Sequence, residues 1–221
     1  MRSEVGCVIL FYPKVYYNIM RIVDFNRTNT TICPGFCVSV VSVDDGEGPG
    51  MNQVVITNRL RDDADSLDGV VITSPDGDPA SVPNLHKLIV SIKEPKLRCI
   101  LMTNGGHPDM INDLVGAGYV DMINMCVDGP LSPEQEKCLD IVRRYNYEFM
   151  MTVHMQAGII GTTEIRQIAE QSKGCRHFIM CPVPHKAKDR TSPAVAGYKK
   201  KELESLVDAV KGIVRNPMLK I

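Results

Sequence analysis

Tryptophan is missing from this 221-residue chain, and aromatic residues make up only 5% of it. Its core must therefore be built from aliphatic, Met and Cys side chains. Neither charge sign dominates: 25 Lys and Arg stand against 26 Asp and Glu, for a formal net charge of −1. The basic residues are scattered rather than striped, which excludes an extended nucleic-acid footprint and a polybasic membrane patch. No apolar run approaches the roughly 20 residues of a membrane span. The short run Gly6–Tyr12 follows Glu4, and no small-residue cleavage site comes after it, so it reads as a strand. Gly46–Gly50 (GEGPG) lacks the third glycine of a dinucleotide loop, Met51 standing there, and Pro49 removes a backbone donor. These absences leave a cytoplasmic protein whose length suits one domain with a substantial core.

Sulfur is what the chain has in plenty, with 8 Cys and 12 Met. Most of the cysteines lie inside apolar runs: Cys7 in GCVIL, Cys99 in LRCILM, Cys126 in INMCV and Cys181 in FIMC. There they act as small buried hydrophobes, and disulfides do not persist in a reducing compartment. The richness in thiols and thioethers suits an anaerobic host.

Five β-rich apolar runs recur downstream: Gly69–Thr73, Leu97–Thr103, Tyr119–Val127, Phe149–His154 and His177–Cys181. They recur about every 20 to 30 residues, which fits a strand, a crossover helix and two loops per unit. The runs are continuous rather than alternating, as expected of parallel strands covered on both faces. Cys37–Val43 adds a strand at the front. Helices are predicted over Pro83–Lys93, Pro108–Val115 and Lys201–Val214, each with apolar residues at helical spacing. Ser132, Pro133 and Gln135 form the start signal of another helix, a capping residue followed by a proline and a Gln at the third position. We expect a single domain over 1–221: an N-terminal extension (1–36), a βα core (37–184), and a basic loop with a C-terminal helix (185–221).

In parallel α/β folds, ligand groups gather beyond the C-terminal ends of the strands. Four segments share that position here: Ser74–Pro79 (SPDGDP), Thr103–Pro108 (TNGGHP), Met125–Leu131 (MCVDGPL) and His154–Gly158 (HMQAG). The acid pair Asp76 and Asp78 suits an ammonium, although Pro-Asp-Gly also makes an ordinary turn. Gly105 and Gly106 let backbone approach a ligand beside a helix N-terminus. His107, at that helix start, reads as solvated surface before it reads as a site residue.

The order of these segments resembles the radical S-adenosylmethionine (SAM) domain, in the branch that includes the activating enzymes of glycyl-radical enzymes. The likeness runs from about Thr31 to Pro184. Six strands in βα succession fit an open barrel or a flat doubly wound sheet equally well; the resemblance favours a partial (βα)6 TIM-like barrel. It implies SAM as the ligand, with a GGEP element holding the methionine ammonium. Here Asp76 and Asp78 replace the first Gly and the Glu, while Gly77 and Pro79 remain. Thr103, Asn104 and Gly105 match the TNG element. Asp128 stands where activating enzymes carry a Lys, which reverses the charge offered to a SAM carboxylate, and Cys126 replaces an Asp. His154 ends a strand and faces the mouth. The implied binding set is Asp76, Gly77, Asp78, Thr103, Asn104, Gly105, Asp128 and His154.

The family's chemistry needs a CxxxCxxC loop after the first strand, to hold three irons of a [4Fe–4S] cluster. Here that loop reads DDGEGPGMNQ and has no cysteine. Cys33 and Cys37 make a CxxxC, but Cys37 falls inside a strand, and Val40 stands where the third Cys is needed. The expectation is therefore a radical-SAM-like binding, regulatory or assembly protein with a protein partner, no cluster and no metal. Two rivals remain. One is an iron–sulfur enzyme whose ligands include Cys33, Cys37 and a distant Cys or come from a second chain. The other is a small βα-barrel enzyme using Asp76, Asp78, Asp128 and His154. The vacated loop, Asp44–Asn52, is expected to fold over or beside the mouth.

Overall fold

Eight strands form one sheet in the order in which the chain supplies them. They are β1 (Arg21–Asn29), β2 (Val38–Asp44), β3 (Gly69–Thr73), β4 (Arg98–Thr103), β5 (Met122–Val127), β6 (Glu148–Met155), β7 (Phe178–Pro182) and β8 (Pro217–Leu219). The structure, a computed structural model, describes residues 20–29, 32–46, 49–75, 77–183 and 197–220. The strand expected at Gly6–Tyr12 lies outside them. From β2 to β8 every pairing is parallel, and β1 closes the near edge antiparallel to β2.

Helices α1 (Gln53–Asp62), α2 (Leu85–Lys93), α3 (Pro108–Gly116), α4 (Pro133–Arg144), α5 (Thr162–Gln171) and α6 (Lys200–Val210) connect the parallel strands. A doubly wound sheet reverses its strand order at a switch point, and this one never does. With crossovers of one hand, all helices then fall on one face and the sheet curls around the other. Burial agrees with that geometry. The main core joins Val70, Ile72, Leu101, Ile123, Met151 and Met180 to Leu88, Ile111, Leu139 and Ile165 of the helices. A second, smaller cluster contains Val38, Val40, Val71, Ile100, Met122 and Met150, which alternate with the first set along the same strands. These are the concave side chains. The arrangement is the six-unit partial barrel, widened by one strand at each edge.

Local signals set the helix ends. In α4, Ser132 Oγ accepts from Gln135 N at 3.3 Å and Gln135 Oε1 accepts from Ser132 N at 2.9 Å, with Pro133 in the first turn. That reciprocal pair satisfies two amides that a helix start leaves orphaned. A short 3-10 turn at Pro79–Ser81 precedes α2, capped by Asp78.

Candidate functional site at the barrel mouth

The concave face changes character along the strands. Near the strand starts it is apolar, and Cys33 and Phe36 pack into it as a floor. Toward the strand ends the same alternating positions carry Ser42, Thr73, Asn124, Cys126, Thr152 and His154. Asn124 is 1% exposed; its Oδ1 accepts from Thr152 Oγ1 at 2.9 Å, and its Nδ2 has no partner. A buried amide hydrogen left unpaired costs about 1–3 kcal/mol.

A cavity of about 550 Å³ opens at these strand ends. It is lined by backbone and side chains of Gly77, Thr103, Asn104, Asp128 and His154, five of the eight residues expected at the site. Gly105 and Asp78 lie just behind the wall, and Asp76 falls outside the described residues. His107 is exposed and does not line the cavity. The segment after His154 divides, since Ala157 and Gly158 line a separate cavity of about 490 Å³ beneath Tyr198. Met102, Ser132, Glu134 and Gln135 line the cavity without having been expected there, and Cys126, expected as a buried hydrophobe and as the stand-in for an Asp of the third segment, lines it too. Alternation along the strand was the available signal for Met102 and Cys126, which share the concave face with Ile100 and Met122. For α4 the signal was its capping box, which sits at a strand's C-terminal end.

Asp78 is the tie of the site. It is 4% exposed, and its Oδ2 accepts from Thr103 Oγ1 at 2.6 Å and from Asn104 N at 3.0 Å. Its Oδ1 accepts from Ala80 N at 2.8 Å. One carboxylate thus fixes both the β3 loop and the β4 loop, and its oxygens are spent on protein donors. Gly105, at φ +76°, turns the β4 loop, where a side chain would press on Gln135 and Met125 at 3.2 Å. Gln135 Nε2 in turn donates to Asn104 O at 2.8 Å, joining α4 to the same loop.

The rim offers different acids. Asp128 is exposed and, among the described residues, makes no hydrogen bond or ion pair. Glu134 is held below the usual carboxylate range by its own backbone N–H and the Ser132 hydroxyl, so it stays ionised. His154 is half-buried, and desolvation pushes its pKa down against the pull of the Asp128 carboxylate; Lys220 pushes the same way as burial. Its imidazole is therefore neutral at pH 7. A polar cleft with two rim carboxylates, one of them without a partner among the described residues, suits a cationic amine.

The donor set does not fit a four-iron cluster. The described parts of the β2–α1 loop, where the resemblance requires three thiolates, lie along β1. There Arg21 Nη2 donates to Asp44 Oδ2 at 2.8 Å, and Met51 N donates to Ile22 O at 2.7 Å. Gly50 lies so close that a Cβ would meet Arg21 Cβ at 2.7 Å. The loop thus lies beside the mouth, pinned outward. Cys33 and Cys37 precede β2, at the floor end, and the Cys37 amide donates to Asp68. Cys33 and Cys181 act electrostatically on Cys126, yet no three His, Cys, Asp or Glu among the described residues are placed to hold a metal ion. Burial pushes the Cys33, Cys99, Cys126, Cys138 and Cys175 thiols up to about 12, so in the metal-free protein they are neutral.

Parallel strands in chain order, curled around a polar mouth, define the partial TIM-like barrel of the radical SAM type, and solved structures of that type superpose on this chain. Streptococcus suis SuiB bound to its precursor peptide SuiA matches with a TM-score of 0.61 at 12% identity, over 80% of this chain and 44% of that one. SuiB bound to S-adenosylmethionine matches at 0.59 and 13% identity, over 77% of this chain and 42% of the other. A radical SAM methyltransferase from Sphaerobacter thermophilus matches at 0.61 and 12% identity, over 85% of this chain and 67% of the other. The chain thus spans less than half the length of SuiB. No protein-family model and no curated protein sequence matches it. Among the described residues, no helix is long and apolar enough to cross a membrane.

Proposed function

We propose that this chain is a binding module on the radical SAM fold, one that holds an adenosyl amino acid of the SAM type without reductive cleavage of it. The observation that carries the reading is the pairing of a mouth tied for ligand by Asp78 with a first loop that lacks cluster donors. When bound, SAM brings an ammonium, a sulfonium and an adenosine to the cavity. Asp128 and Glu134 supply the negative charge for the two cationic groups. The Asn104–Gly106 loop supplies backbone, and Met102 an apolar wall. A cavity of this size lies within the usual range for small-ligand sites, about 300–1,000 Å³.

A protein partner fits the same reading. Met51, Val54 and Val55 are 41%, 63% and 47% exposed, and they form an apolar step where the pinned loop enters α1. Apolar surface of this kind beside a ligand mouth is what a docking partner covers. SuiB, a neighbour in fold, has been solved with a precursor peptide.

Ligand binding to the native state raises its melting temperature. SAM at millimolar concentration should do so for this protein, and an unchanged melting temperature would refute the reading. Near-stoichiometric iron and acid-labile sulfide after anaerobic purification would instead establish the iron–sulfur rival.

A further inference from the structure

A zwitterionic ligand needs both signs of charge, and among the described residues the lining of the mouth cavity offers carboxylates but no Lys or Arg. The missing cation lies at the far edge of the sheet. We propose that Lys220 receives the ligand's carboxylate, on the reading that the mouth holds an adenosyl amino acid.

Strand register places it. β8 runs parallel to β7, with Met180 paired to Leu219, and Lys220 N continues the ladder by donating to Met180 O at 2.8 Å. On the other side of β7, Cys181 pairs with His154 of β6. Lys220 therefore stands level with Cys181 and His154, two strand spacings (about 10 Å) from the latter. Leu219 packs against the helix-side core, so by alternation Met218 and Lys220 face the concave side. A lysine stem reaches about 6 Å from its Cα, which brings the ammonium over that space. Its field is felt at His154 on the cavity wall and at Cys33, which packs into the concave face. Among the described residues, Lys220 Nζ has no hydrogen bond or ion pair. Across the mouth the order is then Asp128, His154, Cys181, Lys220: acid at one end, uncommitted cation at the other, with a neutral imidazole between. That polarity matches an amino acid laid across the strand ends, its ammonium toward Asp128.

The test compares two probes that differ by one group, S-adenosylmethionine and decarboxylated S-adenosylmethionine, titrated calorimetrically into the full chain. Lys220→Met should weaken S-adenosylmethionine about five- to tenfold, as expected for a charge-assisted contact at a partly open site. The decarboxylated probe should change less than twofold, and Lys220→Arg should restore most of the loss. Asp128→Asn, by contrast, should weaken both probes. Unchanged S-adenosylmethionine affinity in Lys220→Met, or equal loss of both probes, overturns the assignment while leaving the adenosyl site standing. Wild-type protein that binds neither probe overturns the site and the lysine together. Amide NMR spectra of Lys220→Met and Lys220→Arg that overlay the wild type separate a lost contact from a lost fold.

Discussion

The two sides of the barrel mouth are built on opposite plans. Between β3 and β5, a buried carboxylate gathers two loops inward: Asp78 holds Thr103, Asn104 and Ala80, and Gln135 clamps Asn104 from α4. Between β2 and α1, a part-buried ion pair at the sheet edge ties the loop to β1, with Arg21 taking Asp44 and Met51 bridging to Ile22. The inward side keeps a ligand wall. The outward side carries no cysteine in its loop and shows apolar Val54 and Val55. The two halves are independent in their bonding, because neither uses the other's hydrogen bonds.

The strongest way to break this contrast is Asp78→Ala. It strands the Thr103 hydroxyl and two amides in a buried setting, at about 3 kcal/mol of stability. Thermal unfolding should show a drop of many degrees, and SAM binding should vanish with the loop geometry. Asp78→Ala that unfolds like wild type would mean the carboxylate is no tie.

Next in size is Asp128→Asn, which should weaken SAM about tenfold while leaving the melting temperature of the free protein unchanged. A loss of stability instead of affinity would make Asp128 structural and move the site elsewhere.

Titration sharpens the comparison between mouth and floor. His154 and His177 sit at opposite ends of the barrel, and desolvation lowers both pKa values below the ordinary 6.5. In the unfolded chain each takes up its proton first as pH falls, so the stability present above about pH 6.5 is lost below it, through the folded values. His154→Gln should flatten part of that slope. In NMR titrations, Lys220→Met should raise the His154 value and Asp128→Asn should lower it further, with His177 unmoved by either. Movement of His177 would show that the two ends are coupled.

The smallest effect belongs to Asp44. Arg21 holds its carboxyl below the usual range by a hydrogen bond, so whatever it contributes is present above the ordinary carboxylate pKa and fades as pH falls through the lowered one. Asp44→Asn should change the melting temperature only slightly and leave SAM affinity intact. A large loss of affinity would place the β2–α1 loop in the ligand site after all.

Much of the scaffold was legible because its signals are local. The strand rhythm and the Ser132–Gln135 capping box needed only neighbours within one unit, and the observed strands and α4 fall there. Helix α1 was not anticipated. Its first turn exposes Val54 and Val55 and buries only Ile56 and Leu60, so its apolar pattern does not read as one face. Strands β1 and β8 escaped as well. Edge strands gain their identity from a partner's ladder, and Pro217–Leu219 is too short to declare itself.

At the site, the sequence by itself determined which residues reach the strand ends: Gly77, Thr103, Asn104, Asp128 and His154 follow from where each apolar run stops. It also determined that the β2–α1 loop carries no thiol. Only the tertiary structure decided what each polar group does. Asp78 and Asp128 are both aspartates beside a glycine, yet one is enclosed with its oxygens spent on Thr103, Asn104 and Ala80, and the other is bare on the rim. Lys220, remote in the chain, is brought level with His154 by two further strand pairings. Chain order fixes what a strand end carries, but whether a charge is spent or free depends on donors from other strands, which only folding brings within hydrogen-bond range.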